Sequence, residues 1–70
     1  MFKLFDVVAL VAAIPDEGLE RGQVGTIIEI YNNGEAYEVE FSDHRNGQTY
    51  AMLALNAEQL MMLHYQPVHE

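Results

Sequence analysis

The chain of 70 residues carries three Lys or Arg against eleven Asp or Glu, a formal net charge of -8, and no cysteine. That balance repels phosphate backbones, whose binding depends on Lys and Arg displacing counterions, and it favours a basic protein surface instead. Without cysteine there is no disulfide framework, thiolate zinc site or thiol nucleophile, so stability must come from packing or oligomerisation. Half the residues are apolar, enough for one globular domain, although a chain this short buries only about 60% of the surface its unfolded form exposes. Large apolar residues are therefore expected inside.

Met1-Phe2-Lys3-Leu4-Phe5-Asp6 has no positive region leading into a long apolar run and a small-residue cleavage site, so no secretory signal is read and the cytoplasm is the expected location. The longest apolar run, Val7 to Ile14, is far short of the ~20 residues a membrane-spanning helix needs. Val7 to Val11 reads as the first strand, because Pro15 disfavours helix at Ile14 and Pro15-Asp16-Glu17-Gly18 is turn chemistry. A surface loop is expected from Pro15 to Arg21.

Gly25 to Tyr31 and Ala36 to Phe41 form a hairpin around Asn32-Asn33-Gly34, with Asn33-Gly34 supplying the positive φ angles of a tight primed turn. In the second arm Tyr37, Val39 and Phe41 alternate with Glu38 and Glu40, and the aromatic face is the buried one. With Ile28, Val39 and Phe41 inward, Glu29, Glu38 and Glu40 fall on neighbouring outward positions. Ser42 to Gly47 predicts a longer connection into a fourth strand over Gln48 to Leu55. Asn56 caps a helical turn over Ala57 to Leu60, and Met61-Met62-Leu63-His64-Tyr65 reads as a brief last strand before Pro67. The pattern predicts an all-β fold: a small five-stranded SH3-like barrel, residues 1–70, with one short helical turn before the last strand.

The spacing Gly22-x-x-Gly25-x-Ile27-x-x-Ile30 resembles the glycine-and-aliphatic core of the KOW motif, found in SH3-like barrels of ribosomal and transcription proteins. A KOW-type nucleic-acid-binding domain is accordingly one alternative, although Asp16, Glu17, Glu20, Glu29 and Glu35 stand where its nucleic-acid members usually carry basic loops. A broader resemblance runs through Leu4-Phe5-Asp6-Val7-Val8-Ala9-Leu10, Ile14-Pro15 with Gly18-Leu19, Arg21-Gly22-Gln23-Val24-Gly25-Thr26, Tyr37-Glu38-Val39-Glu40-Phe41 and Gln59-Leu60. These segments resemble the small bacterial domain-of-unknown-function family numbered 4926. The resemblance implies a stand-alone prokaryotic protein, often cyanobacterial, and brings no catalytic residue. Some members look like the smaller half of a two-gene pair, which by analogy fits an antitoxin or immunity role.

No nucleophile elbow or phosphate-cradling glycine loop is visible, so no enzyme activity and no cofactor are expected. His44, His64 and His69 are too scattered for a metal pattern, with no Cys to complete a set. Tyr31, Tyr50 and Tyr65 invite comparison with the peptide groove of signalling SH3 domains, but those domains also show a tryptophan, which is absent here. In Leu60-Met61-Met62-Leu63 only alternate residues can face inward, leaving apolar surface for a protein interface, a homodimer being one form of it. The expected function is a non-catalytic interaction module that holds a basic protein through Glu29, Glu38 and Glu40, with His44, Met61 and Tyr65 as further contacts. An accessory subunit of a larger assembly, its charge serving only solubility, is the alternative.

Overall fold

The computed structural model describes residues 1–64. Five strands, β1 (Val7–Leu10), β2 (Val24–Tyr31), β3 (Ala36–Ser42), β4 (Thr49–Leu55) and β5 (Leu60–Met62), form one sheet in the order β4-β3-β2-β1-β5. Every neighbouring pair is antiparallel. Two 3-10 turns, Pro15–Glu17 and Ala57–Gln59, are the helical elements of the described residues. Among the described residues no ladder joins the edge strands β4 and β5, so the sheet is open where a closed barrel was expected.

Local chemistry explains each connection. Pro15 sits in the first turn of its 3-10 segment, where a missing N–H costs nothing, and Ile14 before it is extended, with φ -123°. The loop then folds back through a bridge between Ile14 and Leu19. That bridge brings Leu19 into the core, 3% exposed, in a loop expected to lie wholly on the surface. Gly22, at φ +92°, turns the chain into β2 with a backbone conformation that side-chain-bearing residues avoid.

The β2–β3 connection has the positive φ expected at Asn33 (60°) and Gly34 (107°), and Asn32 (48°) adopts it as well. The turn is longer than a two-residue one, with Asn32 and Asn33 as the central pair and the Tyr31 carbonyl accepting from the N–H groups of both Gly34 and Glu35. Asn tolerates this region because its short polar side chain is not penalised there as heavily as others. At the other end of the chain, the Gln59 side chain accepts from the Asn56 N–H at 3.0 Å, closing the turn before β5. The last strand ends at Met62; Tyr65, to which it was expected to run, lies outside the described residues.

All five strands contribute to one core: Val8 and Leu10, Ile27, Tyr37 with Val39 and Phe41, Leu55, and Leu60, joined by Leu19. A single sheet with no second layer buries such residues to near-zero exposure only by coiling its apolar face inward. The inward set on β2 differs from the expected one. A β-bulge between Ile27 and Glu29 makes Ile28 the extra residue, so Ile27 is fully buried and Ile30 packs against the core. Phe2 closes the core edge-on against Tyr37, with ring centroids 5.3 Å apart. Not every large apolar residue is inside, since Phe5 is 73% exposed and Val24, Met52 and Met61 about half exposed.

Gly25 has a purely steric role. A Cβ there would lie 2.6 Å from Val39 Cγ1 and 3.0 Å from both the Glu40 carbonyl oxygen and Phe41 Cδ1. Gly25→Ala is expected to destabilise the fold by about 1–3 kcal/mol through overpacking. Urea denaturation checks this, and an unchanged midpoint would show that the sheet absorbs the methyl group.

Candidate functional site

The outer face of the sheet is ordered by its registers. On β3, Glu38 and Glu40 alternate with the buried Tyr37, Val39 and Phe41. Glu40 lies opposite Thr26 on β2 and Met52 on β4; Glu38 lies opposite Glu29 on β2 and Ala54 on β4. The bulge creates this arrangement. Continuing from the Thr26–Glu40 and Ile27–Val39 pairs without it, Ile28 would oppose Glu38; the extra residue puts Glu29 there and keeps Ile30 opposite Tyr37. Bulges that re-aim side chains are over-represented beside functional sites.

Two like charges directly opposed across an antiparallel pair destabilise it, and among the described residues no cation pairs with these. The one ion pair among the described residues is Arg45–Asp43, at 2.9 Å, in the β3–β4 loop. Hydroxyl groups support the carboxylates instead: Tyr31 donates to Glu38 Oε1 at 2.9 Å, and Thr49 donates to Glu40 Oε2. Each bond fixes one carboxylate oxygen.

The hydrogen bond to Glu38 raises the Tyr31 phenol above the ordinary tyrosine value, with desolvation and the charges of Glu38 and Glu29 adding to it. Because the folded phenol is harder to ionise than the unfolded one, its contribution is intact below pH about 10 and is lost as pH rises through the folded pKa. Titration of tyrosinate absorbance is expected to show the Tyr31 phenol raised above the ordinary tyrosine value, and Glu38→Gln to bring it down. An unshifted Tyr31 in that variant would contradict the assignment.

The other expected contacts lie elsewhere. His44 is exposed in the β3–β4 loop, beyond the end of β3, beside an Asp43 carboxyl held below its usual range by hydrogen bonds from the Arg45 side chain and backbone. Met61 is on the outer face opposite Ala9, 52% exposed, with β1 and β2 between it and Glu38 and Glu40. Beside it is an open hollow of about 350 Å³ lined by Leu10, Val11, Arg21, Gly22 and Met61. Tyr65 lies outside the described residues. Tyr31 and Tyr50 do not converge on a groove: Tyr31 ends β2, whereas the Tyr50 hydroxyl accepts from Gln23, just before β2 begins. Sequence reasoning did not assign Tyr31 to the acidic face; its two-residue spacing from Glu29 is the signal that places both on one side of β2. Among the described residues no group of three His, Asp or Glu is placed to hold a metal ion, and no helix is long and apolar enough to cross a membrane.

The profile of the family described as Domain of unknown function (DUF4926) matches residues 4–62. The chain belongs to this family. The matched span contains all five strands of this DUF4926 domain, and with them Glu29, Glu38, Glu40, His44 and Met61. No curated protein and no solved structure matches the chain.

Proposed function

We propose that this DUF4926 chain is a non-catalytic interaction module that docks a basic protein on its acidic outer face, as a bacterial antitoxin or immunity-type protein docks the protein it holds inactive. The fold is read as an SH3-like barrel left open between β4 and β5, a reading supported by the meander β1 to β4, the 3-10 turn before β5 and the return of β5 to β1. One observation carries the functional reading: Glu29 is held opposite Glu38, with Glu40 on the same face and no cation paired to any of them among the described residues.

A solvated face needs charge but not like charges opposed across a ladder, which costs stability that a partner's Lys or Arg would restore. The net charge of -8 also steers a basic partner and accelerates encounter, an effect that salt screens. If the target is a basic groove, the module inhibits by filling it, its carboxylates standing in for substrate phosphate. The cytoplasm is the location this role implies.

An accessory-subunit reading draws on Val24 and Met61, both about half exposed on the outer face. Capture of partners on the tagged chain from lysate of its own organism, at low and at high salt, separates the two. A stoichiometric basic protein lost at high salt supports docking on the acidic face. A partner retained at both salts points to the apolar contact, and retained RNA to the KOW-type alternative.

A further inference from the structure

Among the described residues, strand β4 is an edge strand paired on one side with β3. Charged residues make up 20% of the chain, yet none falls between Asn46 and Ala57. Edge strands are ordinarily protected by charge, proline or brevity. β4 has neither charge nor proline, and it runs seven residues, against three for the opposite edge, β5. Its outer side chain Met52 is 50% exposed, and Ala51 and Leu53 on the inner side are only partly buried.

The strand is also self-complementary in size. In an antiparallel pairing of β4 with itself about Met52, Leu53 faces Ala51 of the other copy, Ala51 faces Leu53, and Tyr50, at the bulge, comes beside Ala54. Leu53 and Tyr50 each meet an alanine, the two flexible Met52 side chains meet each other at the axis, and no charges oppose. We propose that β4 pairs antiparallel with β4 of a second copy, with the two-fold axis at Met52, joining two sheets into one. This is an isologous interface of the kind that closes a dimer, and it removes the bare edge. The nearest opposed carboxylates, Glu40 of each copy, then sit on β3 strands about 14 Å apart across three strand spacings. That exceeds the screening length of about 8 Å at physiological salt.

The proposal does not rest on docking at the acidic face, and its salt dependence has the opposite sign. Salt screens the repulsion between two acidic copies and tightens the dimer, whereas it loosens a complex with a basic protein. Sedimentation equilibrium of the purified chain at low and high salt tests it, with concentrations from about 10 μM to 1 mM. The expected result is a monomer–dimer equilibrium favoured by salt, with β4 amides gaining protection from hydrogen exchange as concentration rises.

Met52→Lys puts two ammonium groups face to face at the axis, while within each copy the new ammonium lies opposite Glu40, so the fold is kept and the dimer Kd should rise at least about tenfold. A wild-type monomer throughout the range overturns the proposal and leaves the edge for a strand from a different protein. A dimer unaffected by Met52→Lys, or one whose β4 amides stay unprotected, overturns it equally by placing the interface elsewhere.

Discussion

Phe41→Ala is expected to cost about 3–5 kcal/mol and to lower the denaturant midpoint sharply. The residue is fully buried on the inner face of β3, packed in the core with Val39 and Tyr37, and its ring lies 6.4 Å from that of Tyr50. A domain of this length holds only roughly 4–10 kcal/mol of stability, so one aromatic ring is a large share of it. Repacking is limited because the core has one layer and its neighbours come from β2 and β4, which the registers hold in place. Denaturant unfolding followed by circular dichroism reads the loss. A change below about 1 kcal/mol would mean that the sheet collapses onto the gap.

The second large effect is on binding. Reversing Glu38 and Glu40 together to lysine is expected to weaken the captured basic partner at least about 100-fold, the equivalent of about 2.7 kcal/mol. The fold should survive, because the ammonium introduced by Glu38→Lys would face Glu29 across β2–β3 and replace two like charges with opposite ones. Loss of the Tyr31 and Thr49 hydrogen bonds offsets that gain. The control is Glu17→Lys with Glu58→Lys, which makes the same change in net charge at exposed positions in the two 3-10 turns. Equal weakening by both pairs would mean that only the overall charge matters. No weakening by Glu38 and Glu40 reversal would remove the electrostatic part of the proposal.

Strand alternation and turn chemistry were legible in the residues. Tyr37-Glu38-Val39-Glu40-Phe41 shows its buried face by strict alternation, and Pro15 and Asn56 mark the turns they form in the structure. The inward phase of β2 was not legible. Ile27-Ile28-Glu29-Ile30 carries aliphatic residues on both parities, so composition cannot say which one steps out of the ladder, and the bulge is settled only against Val39 and Glu38 on the facing strand. The same holds for Leu19, whose burial depends on the bridge back to Ile14. Whether the sheet closes depends on coiling accumulated over all the strands rather than on any local signal. For the site, alternation alone placed Glu38 and Glu40 together. The direct opposition of Glu29 to Glu38 came from the bulge.

The most direct test of docking on the acidic face is an amide chemical-shift footprint of the isotopically labelled chain, recorded as the partner recovered by salt elution is added. The account predicts that the largest shifts fall on Thr26, Glu29, Glu38 and Glu40, which share that face. Shifts confined to the loops at Pro15–Glu17 and at residues 43–48, with the sheet face unchanged, would contradict it.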